Sequence, residues 1–281
     1  MHSAVTATSP RLAYRVVGTE GEPVLFIMGF AMVGGVWTPL VNALRGEFRC
    51  CHYDHLGLGR SEPSPAFPTV ASMADDAVRV LDDLGWDRVH VVGLSMGGMI
   101  AQEIGLRHPG RCSTLTLIAT HAGGWMASFP AARGAGLVAR GVLGGPKVRF
   151  RLLPKLLYHR RYLERVDGDV FDPQMRERLR VEPPLRTVAS QLLAVQRHRT
   201  EARLHRLSMP VLLVRPGRDI LVNPSHTDRL AARIPRAQVV RYDDAGHGVT
   251  LQKGRELASV LRSHFRGEPG SDGATPSASV A

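Results

Sequence analysis

The stretch that most limits what this chain can become is residues 89–108, VHVVGLSMGGMIAQEIGLRH. An apolar run ends at Gly93-Leu94-Ser95-Met96-Gly97-Gly98. A helical pattern then begins, with Ile100, Ile104 and His108 on one face beside the small residues Gly97, Ala101 and Gly105. Strand, tight turn and helix therefore meet at a serine with glycine two residues away on each side, the G-x-S-x-G pattern in its required context. So sharp a turn strains the serine backbone and crowds its neighbours, leaving room only for glycine or a very small residue at 93 and 97. An ordinary glycine-rich turn has the same letters. The strand before it and the small-faced helix after it separate the two readings and mark Ser95 as a candidate nucleophile.

The rest of the chain repeats the strand–helix rhythm. Residues 5–8 and 11–17 read as a hairpin-like start joined at Ser9-Pro10, and residues 24–28 as a strand buried on both faces. A helix over 37–45 and a strand over 48–53 follow. Ser72 is expected to cap the next helix, with Asp75 completing a capping-box-like pair and Gly85 ending it. Strands over 89–92, 113–119, 210–214 and 237–242 alternate with helices after the serine, after Asn223-Pro224 and over 251–265. Such alternation predicts an α/β fold, a mainly parallel sheet with helices on both faces. It is interrupted by residues 121–207, which are glycine- and arginine-rich, helical in tendency and without a convincing central strand. The expected organisation is a core of residues 1–120 and 208–266, a helical lid of residues 121–207 over the carboxyl edge of the sheet, and a disordered tail of residues 267–281.

Composition narrows the class further. At 281 residues, 44% hydrophobic and 22% charged, the chain can bury one large core with or without an inserted subdomain. No apolar run approaches the ~18–20 residues of a spanning helix, and the first residues lack the basic and apolar regions of a signal peptide. Three cysteines, two of them adjacent (Cys50, Cys51), give no disulfide framework and no C-x-x-C pair, as expected of a reducing cytoplasm. The net charge of +11 comes almost wholly from the insertion, where 17 basic residues face 7 acidic ones, a net of +10 between residues 123 and 206. Without interleaved aromatics this is not a nucleic-acid surface. It reads as a solvated helical surface or as a basic cover for an anionic substrate or acidic partner. No composition feature speaks to oligomeric state.

A serine hydroxyl needs a base within hydrogen-bond reach, and the base needs a third group to orient it. Of 12 histidines, His247 alone sits on a loop after a late strand between two glycines, Gly246 and Gly248. Asp219 likewise follows a buried strand and falls on the same edge. Asp243 and Asp244 are rival acids, close to His247 in a turn. An acyl intermediate also needs two preorganised backbone donors. Met96, immediately after the nucleophile, should give one N–H, and the loop after residues 24–28 the other, with Phe30 the choice. No metal motif, Walker loop or dinucleotide fingerprint occurs in context, so no cofactor is expected.

At this point a family resemblance is plain. Met28-Gly29-Phe30, Asp54-His55-Leu56-Gly57-Leu58-Gly59-Arg60-Ser61, residues 93–98, Gly217-Arg218-Asp219 and Ala245-Gly246-His247-Gly248 resemble, in that order, the α/β-hydrolase fold superfamily. The likeness is to its lid-bearing esterases, lactonases, prolyl aminopeptidases and cofactor-free haloperoxidases. It implies the order Ser95, Asp219, His247 for a catalytic triad, and Phe30 for the second oxyanion N–H. It also implies hydrolysis of a small-molecule carboxylic ester, with an amide, a lactone, a carbon–carbon bond, peroxide chemistry or mere ligand binding as alternatives. An aminopeptidase would need a lid glutamate, for which Glu164, Glu177 and Glu182 are available. The chain departs from the family at Met28, where histidine is usual, and at His55, where arginine is usual. Methionine at the first position also resembles a subgroup of methyl esterases of aromatic polyketides.

Overall fold

In the computed structural model, residues 2–64, 67–124, 130, 132–166 and 170–268 are described. Among them, β1 (His2–Val5), β2 (Ala13–Val17), β3 (Pro23–Ile27), β4 (Arg49–Tyr53), β5 (Val89–Leu94), β6 (Cys112–Ile118), β7 (Val211–Pro216) and β8 (Gln238–Tyr242) form one sheet. The strand order is β1-β2-β4-β3-β5-β6-β7-β8. The β1–β2 and β2–β4 pairings are antiparallel and the rest parallel. The loops leaving β3, β4, β5, β6, β7 and β8 therefore share one edge, where ligands bind in open sheets of this kind.

Strand side chains alternate between two cores, as a period of two requires. Leu25, Ile27, Cys51, Val91, Leu115 and Leu213 enter one, against α2 (Val70–Asp83), α3 (Met96–Arg107) and α9 (Ser225–Arg233). Val24, Phe26, Cys50, Val92, Ile118 and Leu212 enter the other, against α1 (Thr38–Leu44) and α11 (Gly254–Phe265). Adjacent Cys50 and Cys51 thus point to opposite faces, and all three cysteines are free and buried.

Two helix boundaries differ from the sequence expectation. The helix expected to open at Ser72 begins a turn earlier at Val70, capped by Thr69. The Thr69 side chain accepts the Ser72 N–H (3.0 Å) and the Ser72 hydroxyl accepts the Thr69 N–H (2.9 Å), a reciprocal box. Asp75 instead binds Arg107 and His108 at the far end of α3 (2.8 Å each), joining the two helices. The last helix divides at Lys253 into α10 (Val249–Gln252) and α11. The tail expected from residue 267 lies, from residue 269 onward, outside the described residues.

Between β6 and β7 the chain runs through α4 (Ala132–Leu143), α5 (Gly145–Leu157), α6 (Arg160–Arg165), α7 (Pro173–Leu179) and α8 (Leu185–Arg197). Among the described residues no helix is long and apolar enough to cross a membrane. The two stems of this insertion meet at a Gly123–Arg199 bridge, closed by the Thr200 N–H on the Ala122 carbonyl (2.9 Å). Gly123 has φ +88, and a Cβ there would lie 1.9 Å from the His198 carbonyl oxygen, so only glycine fits. Both stems are gripped by α3. Fully buried Gln102 donates to the His121 carbonyl (3.1 Å) and accepts from the Thr200 hydroxyl (2.6 Å). Next to it, Glu103 takes a two-point bond from Arg203 (2.6 and 3.1 Å), with His198 Nδ1 at 3.9 Å.

Burial holds His121 and His198 neutral, lowering each to about 3, with neighbouring positive charge adding to the effect. In the unfolded chain they regain a pKa of ~6.5. The unfolded state then binds more protons between those values, so their contribution is complete above pH ~6.5 and drains away as pH falls toward 3. From pH 7 to pH 5 the pair should cost about 4 kcal/mol of stability, with buried His52 and His264, each lowered to about 4, acting in the same sense. Urea unfolding at the two pH values measures it. A flat profile would show these rings to be solvated.

Candidate active site

The site is built around the end of β5. Ser95 sits at φ +56, ψ −118, outside the regions a non-glycine residue ordinarily adopts, and α3 starts at the next residue. Three contacts hold it there. Its N–H donates to the Ile118 carbonyl (2.9 Å), and its carbonyl accepts from Gly98 N–H (2.9 Å) and the Thr120 hydroxyl (2.7 Å). The flanking glycines are obligatory by close approach: a Cβ at Gly93 would lie 2.2 Å from the Gly97 carbonyl oxygen, and one at Gly97 2.1 Å from that of Ile27. Met96, the first helical residue, has no acceptor for its N–H inside the helix, so the positive end of α3 begins beside the serine.

The loop after β3 passes directly over this turn. A Cβ on Gly29 would stand 3.3 Å from the Ser95 Cβ and 3.9 Å from its Oγ. Phe30 follows, half-buried, and then Ala31 at φ +58. Fully buried His55 is kept neutral by desolvation, its pKa lowered, and donates Nε2–H to the Met28 carbonyl (2.9 Å). The two departures from the family pattern are thus partners: the side chain at 55 supports the backbone at 28. Asp54 braces the neighbouring loop by accepting the Gly34 N–H (2.8 Å), and the φ +53 of Gly59 lets the chain fold back against its carboxylate.

His247 and Asp219 meet on the same edge. Asp219 Oδ1 accepts the N–H groups of Leu221 (2.7 Å) and Val222 (2.9 Å), which fixes the carboxylate, and its side chain is fully buried. Its Oδ2 lies 2.7 Å from His247 Nδ1. An ionised carboxylate only accepts, so Nδ1 carries the proton and Nε2 is left as the acceptor. Gly246 allows the loop to press on the inserted segment, where a Cβ would lie 2.4 Å from the Leu157 carbonyl oxygen, and that oxygen also accepts the Gly248 N–H (2.8 Å). The rival acids lie elsewhere: Asp243 is exposed, and Asp244 pairs with Lys253 (3.0 Å). Glu164, Glu177 and Glu182 are all exposed, and Glu164 pairs with Arg160.

Sequence reasoning missed one residue here. Gln191 of α8, fully buried, accepts the Ala31 N–H through Oε1 (2.8 Å). The signal was present but inverted: the face of α8 that turns inward carries Thr187, Ser190, Gln191 and Ala194 at helical spacing, while Leu185 and Leu192 are exposed.

A family model described as alpha/beta hydrolase fold matches residues 22–253. Over 250 residues the chain is 30% identical to RutD of Caulobacter vibrioides, provisionally named a carbamate hydrolase, covering 88% of this chain and 91% of that protein. A solved hydrolase from Pseudomonas aeruginosa PA01 superposes with a TM-score of 0.79 at 26% identity, over 94% of this chain and 98% of the other. A thermophilic esterase from Thermogutta terrifontis, solved with malate bound, gives a TM-score of 0.78 at 25% identity, over 95% and 99%.

The crowding at residue 97 generates a direct expectation. Gly97→Ala must displace backbone rather than a flexible side-chain tip, so it should destabilise by about 3 kcal/mol, the upper end of what overpacking costs. Thermal or urea unfolding reads this, and a loss under about 0.5 kcal/mol, the ordinary surface level, would contradict the close approach.

Proposed function

Because the chain belongs to the alpha/beta hydrolase fold family, we propose that it is a serine hydrolase cleaving a carboxylic ester of a small molecule through an acyl-enzyme. Ser95 is the nucleophile, His247 the general base and acid, Asp219 the orienting carboxylate, and the N–H groups of Met96 and Phe30 the oxyanion hole. The observation that carries the reading is the backbone of Ser95, a non-glycine residue kept at φ +56 where α3 begins. Strain of this kind persists where function requires it.

The reaction follows from these roles. Ser95 Oγ forms a bond to the acyl carbon while His247 Nε2 takes the hydroxyl proton. The oxyanion is held by two backbone donors, each worth about 10²–10³ in rate. Collapse breaks the carbon–oxygen bond to the leaving group, which leaves with the proton from His247. Water then repeats the sequence on the acyl-enzyme, returning Ser95 and releasing the acid. The buried Asp219 stabilises the imidazolium in both steps. The helices between β6 and β7 serve as the lid that selects the acyl group.

A carbamate is a second reading, favoured by the names of relatives such as RutD of Caulobacter vibrioides. It uses the same attack on a carbonyl that bears nitrogen. The exposed lid glutamates give no support to the aminopeptidase alternative.

Ser95→Ala should abolish both p-nitrophenyl ester turnover and fluorophosphonate labelling, with kcat down by roughly 10³-fold or more. Labelling that survives would put the nucleophile elsewhere. A panel of p-nitrophenyl acetate, a p-nitrophenyl carbamate and proline β-naphthylamide then orders the substrate classes, with the ester expected fastest. The +10 insertion further predicts that kcat/KM for a carboxylate-bearing ester falls between 50 and 500 mM salt while that for a neutral ester holds. Equal salt responses would reduce the charge to a matter of solubility.

A further inference from the structure

The donor assigned to Phe30 belongs to the peptide between Gly29 and Phe30, and the two peptides beside it are both tethered. On one side the Met28 carbonyl is held by His55 (2.9 Å), from the loop after β4. On the other the Ala31 N–H is held by Gln191 (2.8 Å), from the inserted helix α8. Between them lies a glycine with no Cβ to restrict its rotation, so the tethers help determine which way the Phe30 N–H points, together with the packing of Gly29 on the Ser95 turn and of Phe30 on the core. Ala31 itself occupies the left-handed region at φ +58 without being glycine. A residue in that conformation relaxes unless its surroundings over-determine it.

Gln191 is not explained by stability. Its side chain is wholly buried, yet among the described residues its Nε2 has no hydrogen-bond partner. A buried donor left unsatisfied is unfavourable, and an apolar residue of the same shape would remove it. Neighbouring contacts already dock the helix without this amide. The Thr187 hydroxyl donates to the Gly57 carbonyl (3.2 Å), Ser190 and Ser64 face each other at 3.4 Å, and Ala194 is in the core.

We infer that Gln191 is a positioning residue for the oxyanion hole, its Oε1 holding the Ala31 N–H so that the preceding peptide presents the Phe30 N–H to the acyl oxygen. The inserted helix thereby contributes to turnover as well as to selection. The inference rests on the serine-hydrolase reading above.

The test is steady-state kinetics on p-nitrophenyl acetate with Gln191→Met, which keeps the shape but loses the acceptor, and Gln191→Glu, which keeps an oxygen in place. Gln191→Met should lower kcat about 10- to 100-fold, part of the 10²–10³ that one donor supplies. Its KM should stay within about 2-fold and its melting temperature should change little, because the buried unpaired Nε2 donor is gone while the half-buried Ala31 N–H loses its acceptor. Gln191→Glu should recover most of kcat. Unchanged kcat in Gln191→Met, a rise in KM alone, or equal loss of kcat in both variants would overturn the positioning role while leaving Ser95 labelling in the wild type intact. A wild type inert to both ester and fluorophosphonate would instead remove the serine-hydrolase reading, and this inference with it. Should Gln191→Met not fold, Gln191→Glu decides: kcat within about 3-fold supports the role, and a loss beyond about 10-fold overturns it.

Discussion

The backbone of residue 95 is the fixed point of this structure. A non-glycine residue at φ +56 costs on the order of 1–3 kcal/mol, and three hydrogen bonds from β6, the loop after it and α3, together with two backbone-tight glycines, leave it no alternative. Those contacts make demands in turn. Gly97 must lie against Ile27 at the end of β3, which brings the next loop over the serine, and Gly29 then passes within contact distance of it. The order of the strands in the sheet follows the same need. β3 and β6 flank β5 directly, so both elements that touch residue 95 are its immediate neighbours.

Helix α3 carries that fixed point outward. Its first turn frames the serine, and its middle, Gln102 and Glu103, grips both stems of the insertion. Gln102, Thr200, Glu103 and Arg203 in this grip are all hydrogen-bonded, which is what allows a network of amide, hydroxyl, carboxylate and guanidinium to exist in the interior at all. The insertion is therefore referenced to the same rigid element as Ser95. A register error at the stems would move α8 relative to the loop after β3.

Legibility in the sequence followed the range of the interaction. The serine turn could be read because its constraint is local: glycines at 93 and 97, an apolar run before and a small-faced helix after. Asp219 and His247 could be read because each lies in the loop after a late strand, β7 and β8, and adjacent parallel strands deliver their following loops to one edge. The cap of α2 could not be settled locally, since Thr69 and Ser72 are both good caps. Burial of Val70, a tertiary fact, extended the helix upstream. The inward face of α8 was least legible. Hydrophobicity points to its leucines, but what α8 covers is a set of loops with exposed backbone polar groups, and those are matched by Thr187, Ser190 and Gln191.

The same reasoning separates two tasks within the insertion. In the core, surface cations are largely answered by acids, as with Arg262 and Arg266 on Glu47, Arg111 on Asp82, and Arg215 and Arg241 on Asp228. In the insertion, 17 cations outnumber 7 acids, a net positive charge carried by the segment whose α5 and α8 meet the loops of His247 and Ala31. Exposed charges act through water over a screening length of about 8 Å at physiological salt, which is enough to bias the approach of a ligand and too diffuse to orient a reacting carbonyl. Orientation needs buried contacts at hydrogen-bond distance. The arginines of the insertion are of the first kind, while Gln191 and His55, both buried and each hydrogen-bonded to the loop after β3, are of the second.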